Sequence, residues 1–308
     1  MIADADIERA AALLRAGALV VFPTETVYGL GCDAASAAAV ARLYAAKGRP
    51  HFNPLIAHVR DVRDAAQHAR LHPKAVALAD AFWPGPLTLV AARRDDSTVC
   101  ELACAGLATI ALRAPSHGVA RDLLAAFGGP IAAPSANRSG RVSATQAAHA
   151  AAEFGDAVAL VLDAGPSRLG LESTIIAVSD SGEAALLRPG AVTREAIEAL
   201  IGPLAAAPAG AVSAPGLLAS HYAPRAQLRL DADAPRAGEA YLAFGAAAPE
   251  GGLTLSARGD LVEAAANLYA HLRALDAAGA AVIAVAPIPA HGLGEAIRDR
   301  LARAAAPR

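Results

Sequence analysis

Cysteine is scarce in this sequence, and long apolar runs are missing from it. The chain has 308 residues and 3 cysteines, an odd number that argues against a disulfide framework and fits a reducing compartment. No apolar run approaches the roughly 20 residues of a membrane span. The first residues, MIADADIERA, are acidic and lack the apolar core of a signal peptide. We therefore expect a soluble, cytoplasmic protein without membrane contact.

Neither sign of charge dominates, and aromatic side chains are few. The 27 lysines and arginines nearly balance the 29 aspartates and glutamates, which leaves a net charge of -2. The total charge therefore draws the chain neither onto nucleic acid nor onto a membrane, although a local basic cleft is still allowed. Aromatic residues make up 4% of the chain, but hydrophobic residues make up 55%, so the chain can bury a sizeable core. Its length predicts about two domains.

Several catalytic signatures are also absent. The sequence has no G-x-x-x-x-G-K-[ST] loop, which excludes a P-loop enzyme, and no G-x-G-x-x-G follows the first predicted strand. Neither G-x-S-x-G nor H-E-x-x-H occurs, so a conventional hydrolase has little support. Cys100 and Cys104 could share a helix face, but no second cysteine pair or histidine cluster completes a zinc site.

Helical and strand patterns alternate through the first two hundred residues, which predicts an α/β or α+β domain with a mixed sheet. Ser36 is the predicted N-cap of the second helix, and Gly17 the predicted end of the first. Predicted strands cover 54–59, 86–92, 108–113, 157–163, 173–179 and 184–188, and predicted helices cover 61–69, 73–82, 117–127, 145–154 and 193–201.

A Pro-, Ala- and Gly-rich stretch without periodicity begins at residue 202 and reads as a linker. Strand patterns resume at 240–245, 253–256 and 281–287, with a clear helix over 260–276. We therefore place a first domain at 1–201, a linker at 202–226 and a small α/β domain at 227–308.

The stretch VVFPTETVYGLG, residues 20–31, ends a buried strand on Pro23 and follows it with hydroxyls and glycines. One interpretation is a plain βα connection, because Pro, Thr and Gly suit turns. The other is a ligand loop at the carboxyl end of a strand, where open α/β sheets place their sites. A turn residue such as Glu25 is then either a general base or merely solvated.

Polar clusters follow most of the other predicted strands of the first domain. Arginine and lysine at several strand ends would form a basic cleft suited to a polyphosphate, of which a nucleotide is the commonest example. The alternative for each arginine is a solvated surface position, and for His58 a satisfied core histidine. The cationic residues concerned are Lys47, Arg49, Arg113 and Arg188, and the hydroxyl and amide residues near them include Ser135, Asn137, Ser139, Ser143, Ser173 and Thr174.

The motifs FPTETVYGLG, KGRP, NPL, FWPGPLTLV, LRAPSH, APSANRSG, ESTII and LLRPG occur here in that order. Together they resemble the YrdC-like threonylcarbamoyl-AMP synthases over residues from about 5 to 201. APGLLASHYAP and the α/β tail are similar to the long, two-domain form of that family. The resemblance implies a twisted mixed sheet around a basic cavity, a linker that crosses the cavity and a small Rossmann-like domain.

The resemblance also implies an activity, which is synthesis of threonylcarbamoyl-AMP and pyrophosphate from L-threonine, bicarbonate and ATP with Mg²⁺. The product serves N6-threonylcarbamoyladenosine formation in tRNA, so downstream tRNA threonylcarbamoyl-transfer proteins are implied partners, together with weak RNA contact. Mg²⁺ is expected to bind through the ATP phosphates, without a dedicated protein ligand.

Site residues carried over from the resemblance fall into two groups. Lys47 and Arg49 would be catalytic and face ATP. The remaining ATP-facing residues would be Asn53, Ser135, Asn137, Ser143, Arg188 and Tyr222. The threonine-facing residues would be Thr26, His58, Thr109, Arg113 and Ser173. The departure VSAT at residues 142–145, where relatives often have SPT, concerns the phosphate loop around Ser143.

Two alternatives stay open on the sequence. One is a carbamoyl-adenylating transferase on the same fold, although such enzymes usually carry acylphosphatase and zinc-finger domains that this sequence does not show. The other is a double-stranded RNA-binding protein that uses the basic cavity, for which salt-sensitive RNA binding without nucleotide turnover would be the sign.

Overall fold

The structure is a computed structural model, and it describes residues 2–205 and 220–307. The middle of the predicted linker, including Leu217 and Leu218, lies outside the described residues. The helices are α1 (Asp4–Arg15), α2 (Ala37–Lys47), α3 (Val62–Ala66), α4 (Pro73–Phe82), α5 (Gly118–Phe127), α6 (Ala147–Phe154), α7 (Arg194–Ile201), α8 (Leu261–Ala277) and α9 (Leu293–Ala305). The strands are β1 (Val20–Phe22), β2 (Gly29–Asp33), β3 (Ile56–His58), β4 (Ala69–Arg70), β5 (Leu87–Arg93), β6 (Thr109–Arg113), β7 (Ile131–Ala132), β8 (Leu160–Val161), β9 (Thr174–Val178), β10 (Ala184–Arg188), β11 (Gln227–Arg229), β12 (Ala240–Phe244), β13 (Leu253–Ser256) and β14 (Val282–Val285).

The first part of the molecule, which holds β1 to β10, is built on a large mixed sheet. Its strand order is β10-β9-β5-β6-β3-β7-β2-β1-β8, with β4 paired to β5. The pairs β3/β6, β5/β9 and β1/β8 are parallel, whereas β5/β6, β9/β10, β1/β2 and β2/β7 are antiparallel. The predicted mixed sheet is therefore confirmed.

Local sequence explains the helices that flank this sheet. The α1 residues Ile7 and Leu14, at helical spacing, pack with Leu123 and Leu124 of α5 in one apolar cluster. Ser36 caps α2 as predicted, because its side chain accepts a hydrogen bond from the backbone N–H of Ala39 at 3.2 Å.

The stretch that follows β1 is not a βα connection. β2 runs back antiparallel to β1, with Phe22 opposite Gly29 and Val20 opposite Gly31, so residues 23–28 are the loop of a β-hairpin. The two glycines expected in a turn lie in the strand. A Cβ on Gly31 would come within 2.8 Å of the Phe22 ring, so glycine lets the ring lie across β2.

The second part of the molecule, which holds β11 to β14, is built on a four-stranded sheet. This sheet is entirely parallel and has the order β11-β14-β12-β13. Helices α8 and α9 pack with it, and α9 is an element that the sequence analysis did not locate. Leu268 and Ile297 of these helices share an apolar cluster with Val27, Val142 and Leu171 of the first part. The two parts therefore share a core, and the division at residues 201 and 227 stays a prediction.

Among the described residues, no helix is both long and apolar enough to cross a bilayer.

Candidate active site

One pocket collects side chains from several separate segments of the first part and from the segment that leads into the second part. It is bordered by the β1–β2 loop, by the ends of β3, β6 and β10, and by residues 133–135, 172–173 and 221–222. The predicted site residues that line it are Thr26, Arg49, His58, Arg113, Ser135, Ser173, Arg188 and Tyr222. Sequence positions far apart thus meet at one place on the sheet.

Arg113, at the end of β6, is fixed from several sides. Its NH1 donates to the Thr26 hydroxyl at 2.9 Å, its NH2 donates to Glu25 Oε1 at 2.6 Å, and its Nε donates to the carbonyl of Gly85 at 3.3 Å. The other oxygen of Glu25 accepts from the backbone N–H groups of Ser116 and His117. Both partners of the ion pair are 4% exposed, so the guanidinium is presented to the pocket in one orientation.

Glu25 is therefore not the solvated turn residue that the sequence also allowed. Burial on its own raises the pKa of Glu25, but the charge and hydrogen bond of Arg113 outweigh burial, and the pKa of Glu25 lies below its ordinary value. An ionised glutamate that is already committed to an arginine orients that arginine and is not a free general base.

His58 of β3 presents a neutral ring to the pocket. It is 2% exposed, and burial, with the nearby charge of Arg113, lowers its pKa to about 3. Its Nδ1 has no hydrogen-bond partner within the described residues. A buried polar atom without a partner is rare in a native structure, so this nitrogen points to a ligand that supplies one.

Arg49 is the cation at the start of the loop between α2 and β3. Its Nε donates to the Asn53 carbonyl at 3.0 Å, and its NH2 donates to Asn53 Oδ1 at 2.6 Å and to the Pro54 carbonyl at 2.7 Å. Burial lowers the pKa of Arg49 to about 10, which still leaves it charged at neutral pH. Asn53 does not line the pocket and contacts Arg49 instead.

Lys47 lies beside Arg49 but is turned towards the backbone. Its Nζ donates to the carbonyl of Ser135 at 2.6 Å and to that of Asn137. Burial and the charge of Arg49 hold its pKa well below the ordinary value. In this arrangement the ammonium ties down the loop of residues 135–137 and does not line the pocket. The Nδ2 of Asn137 donates to two further carbonyls, and its Oδ1 is buried without a partner among the described residues.

Arg188, at the end of β10, is held by the segment that precedes β9. Its NH2 donates to the Ser173 carbonyl at 2.9 Å and to the Ser173 hydroxyl at 3.1 Å. The same hydroxyl lies 2.7 Å from Thr88 Oγ1. The backbone at residue 190 packs closely against residues 172–174, which requires glycine at that position. A Cβ on Gly190 would meet the backbone of residues 172–174 at 2.4–2.5 Å.

Two further predicted residues, Thr109 and Ser143, also lie outside the pocket. Thr109 lies at the opposite end of β6 from Arg113, opposite Ala92, in a separate hollow. Four residues of strand span about 13 Å, so its predicted place beside the pocket is wrong. Ser143 donates to Glu172 Oε1 at 2.5 Å and does not line the pocket.

The pocket residues that the sequence analysis did not single out include Glu172 and His221. Glu172 is the first residue of the quoted motif ESTII, and His221 precedes Tyr222 in SHYAP, so both lay in motifs already noted. Burial, with opposing contributions from several nearby charges, lowers the pKa of His221 to about 3. Its Nδ1 and the Tyr222 hydroxyl are both buried without partners in the part of the chain that the structure describes.

Three arginines, neutral imidazoles and unpartnered polar atoms in one buried pocket define an α/β protein that binds small anionic ligands. A family model described as "Telomere recombination" (Sua5_yciO_yrdC) matches residues 12–190, and one described as "Threonylcarbamoyl-AMP synthase, C-terminal domain" matches residues 192–306. The chain therefore belongs to the threonylcarbamoyl-AMP synthase family, and the resemblance inferred from the sequence motifs is confirmed.

Individual relatives agree over nearly the whole chain. The threonylcarbamoyl-AMP synthase of Bacillus subtilis is 38% identical and aligns with 98% of this chain and 93% of its own length. That of Pyrococcus abyssi is also 38% identical, over 97% of this chain and 93% of its own. The crystal structure of P. abyssi Sua5 complexed with L-threonine matches with a TM-score of 0.92 at 36% identity, covering 99% of this chain and 95% of that one.

Proposed function

We propose that the pocket makes threonylcarbamoyl-AMP from L-threonine, bicarbonate and ATP, for modification of tRNA. Family membership supports the activity, and the P. abyssi protein with bound L-threonine supports the amino acid substrate. The observation that carries the assignment to this pocket is the separate fixing of its arginines. Arg113 is held by Glu25 and Thr26, whereas Arg49 and Arg188 are held by other segments.

The Arg113 side suits the amino acid. A guanidinium that is already oriented can bind a carboxylate through its remaining N–H groups, and such charge-assisted bonds are the stronger ones. Thr26 contacts Arg113, and the neutral ring of His58 lines the same pocket, as does Ser173, which contacts Arg188. These groups suit an ammonium, a hydroxyl and a methyl group. We assign L-threonine to this side.

The other side suits the nucleotide. Arg49 and Arg188 would contact the phosphates, with Asn53 orienting Arg49 and Lys47 holding the loop that carries Ser135 and Asn137. Burial in a water-poor site strengthens these charge interactions. Tyr222, which also lines the pocket, would cover the nucleotide.

Magnesium ions would enter with ATP. The described residues contain no cluster of three or more His, Cys, Asp or Glu side chains that could hold a metal. Mg²⁺ prefers oxygen ligands and commonly binds through phosphates, and the unpartnered Oδ1 of Asn137 is an oxygen that fits such an ion. The ion would offset phosphate charge as the reaction proceeds.

The reaction forms two bonds in sequence. The amine of threonine attacks the carbon of bicarbonate, or of CO₂ derived from it, and the new N–C bond gives a carbamate as water and a proton are lost. A carbamate oxygen then attacks the α-phosphorus of ATP. The bond between the α-phosphorus and its bridging oxygen breaks, and pyrophosphate leaves. The products are threonylcarbamoyl-AMP, pyrophosphate and water.

No covalent intermediate with the protein is required by this sequence of steps. The pocket contributes by holding the carbamate in line with the α-phosphate and by placing cations where negative charge develops. Downstream tRNA threonylcarbamoyl-transfer proteins would receive the product, and any RNA contact would be weak given the net charge of -2.

The test mixes the protein with ATP, Mg²⁺, bicarbonate and labelled L-threonine, and measures pyrophosphate and a threonine-bearing nucleotide. We expect pyrophosphate release that depends on both threonine and bicarbonate. Arg49→Ala should lower kcat/KM by about 10- to 100-fold, since a hydrogen bond to a charged group contributes roughly 1.5–3 kcal/mol. Arg60→Ala is the matched control, because that arginine is exposed and pairs with Asp64.

Other outcomes would favour other functions. ATP binding without a threonine-bearing product would favour a carbamoyl-adenylating transferase, and salt-sensitive RNA binding without turnover would favour an RNA-binding protein. Full activity of Arg49→Ala would contradict the assignment of the nucleotide side.

A further inference from the structure

A carboxylate in the pocket wall of the first part is held mainly by side chains of the second part. Glu172 Oε2 accepts a hydrogen bond from Arg300 Nε at 2.8 Å and from the Tyr269 hydroxyl at 2.7 Å, and its Oε1 accepts from Ser143 Oγ. Arg300 lies on α9 and Tyr269 on α8. All four side chains are buried, so these contacts are sheltered from water.

Stability alone does not account for this ion pair. Arg300 is 1% exposed, and its guanidinium forms ion pairs with Glu172 of the first part and with the neighbouring Asp299. Replacing a buried ion pair by apolar residues is often neutral or stabilising, because desolvation offsets the attraction between the charges. The position of Glu172 in the pocket wall therefore suggests a role in shaping the site.

Arg300 also contacts the aromatic ring that closes the pocket. The guanidinium carbon lies 5.1 Å from the centroid of the Tyr222 ring, and that ring stacks on Tyr269 at 5.8 Å. Tyr222 has a φ of 62°, a left-handed conformation that costs free energy for a tyrosine and persists only where its surroundings impose it. The neighbouring N–H of Ala223 donates to the carbonyl of Gly140 at 2.8 Å, which ties this segment to the first part.

We propose that Arg300 is a positioning residue of the active site, which keeps the Glu172 carboxylate and the Tyr222 ring in place at the pocket. The second part of the chain thereby completes a site that is otherwise built by the first. The effect on turnover rests on the proposed function, whereas the effect on residues 220–223 does not.

The charged and titratable groups around Glu172 determine what loss of Arg300 does. They are Arg300 and Asp299 on α9, Tyr269 on α8, Arg188 on β10, and His221 and Tyr222 in the preceding segment. Burial on its own raises the pKa of Glu172, but Arg300, and after it Arg188, lower that pKa to about 2. Without Arg300, its charge no longer opposes the effect of burial on the pKa of Glu172, and that pKa should rise. Buried carboxylates can have a pKa raised by up to about 3–5 units.

The experiment compares kcat/KM for ATP at about pH 6 and about pH 8 in the full-length wild type, in Arg300→Met and in the double variant Glu172→Gln/Arg300→Met. In Arg300→Met we expect the ratio of the pH 6 value to the pH 8 value to fall about tenfold, because Glu172 becomes protonated at the lower pH. In the double variant the ratio should return to within about twofold of wild type, since glutamine does not titrate. Arg300→Lys, which keeps the charge, should restore part of the wild-type ratio.

Hydrogen exchange supplies a readout that does not depend on turnover. The amide of Ala223 should exchange at least about tenfold faster in Arg300→Met, because the adjacent Tyr222 ring loses its contact with the guanidinium. Arg298→Met is the matched control, because Arg298 lies on the same helix but is half exposed and pairs with Asp231. It should leave both the pH ratio and the exchange rate unchanged.

An equal loss of activity at both pH values, or unchanged exchange at Ala223, would overturn the proposal. If Arg300→Met does not fold, Arg300→Gln removes the charge but keeps a side-chain N–H near Glu172, and it should lower the same pH ratio by a smaller factor. An unchanged ratio in that variant would equally overturn it. A wild-type protein that makes no product would refute the proposed function, and the exchange comparison would then decide the role of Arg300 by itself.

Discussion

Replacing Glu25 by glutamine tests whether the site needs Arg113 in a fixed orientation, because Arg113 stays in place while the carboxylate that orients it is removed. The substitution keeps the shape of the side chain and one oxygen that can accept hydrogen bonds, but it removes the negative charge that faces the guanidinium at 2.6 Å. Arg113 would then be a buried cation without its carboxylate. We expect a less stable protein in which the guanidinium no longer has a single orientation.

The magnitude follows from the burial of the pair. Removing one partner of a buried ion pair costs about 3–5 kcal/mol, and glutamine can still accept a hydrogen bond, which places Glu25→Gln near about 3 kcal/mol. The KM for L-threonine should rise by about tenfold or more, with a smaller change in the KM for ATP, because Arg113 lies on the amino acid side. The control is Asp96→Asn, which breaks the exposed pair with Arg94 and should leave the free energy of unfolding unchanged.

Urea unfolding at several pH values is the assay. The pKa of Glu25 is lowered in the folded state from its ordinary value of 4.5, so its stabilising contribution is fully present above that value and is lost as the pH falls through the lowered pKa. The difference between wild type and Glu25→Gln should therefore be constant at neutral pH and shrink in acid. A variant within about 1 kcal/mol of wild type at neutral pH would refute the reasoning.

The remaining predictions concern single positions. Thr109→Val should leave the KM for L-threonine unchanged in steady-state kinetics, because Thr109 lies at the far end of β6; a tenfold rise would contradict the geometry. Gly190→Ala should lower the free energy of unfolding by roughly 2–4 kcal/mol and reduce activity, because its Cβ would meet the backbone that carries Ser173. Gly118→Ala, where a Cβ meets nothing within 4 Å at the start of α5, should be neutral or slightly stabilising in the same unfolding assay.

Elements with strong local signals were predictable from the sequence. The helix predicted over 73–82 is α4 at the same residues, where Pro73 occupies the first turn and the side chain of His72 caps the start. The strand predicted over 184–188 is β10 without a change of boundary. In both cases one short window holds the pattern and its stop signals, so no distant contact is needed to decide them.

β2 could not be predicted in the same way. Two of its first three residues are glycines, Gly29 and Gly31, and glycine usually marks a turn. Here glycine is needed because the Phe22 ring of β1 packs against these positions. Phe22 fills the space that a side chain on Gly31 would occupy. A window of sequence around β2 does not contain that contact, so local propensity pointed to a turn and the tertiary structure overruled it.

The candidate site was predictable as a set of residues but not as a set of contacts. Motif order indicated Arg49, Arg113 and Arg188, and the structure brings them to one pocket. The motifs did not show that Lys47 would bind loop carbonyls, because the partners lie about ninety residues away. The burial of Glu25 was equally hidden, since it depends on an arginine 88 residues further along the chain.

The bond between Glu172 and Arg300 has a consequence for the order in which the protein is made. The two residues are 128 positions apart, so at roughly 5–20 residues per second Arg300 is synthesised about 6–26 s after Glu172. In the later part of that interval, once β10 has been made, every strand of the large sheet exists, and the carboxylate in its pocket has no partner from α9. Helix α9 follows the large sheet in the chain and finishes the pocket, so a chain that stops before α9 would carry the whole first sheet with an incomplete binding site.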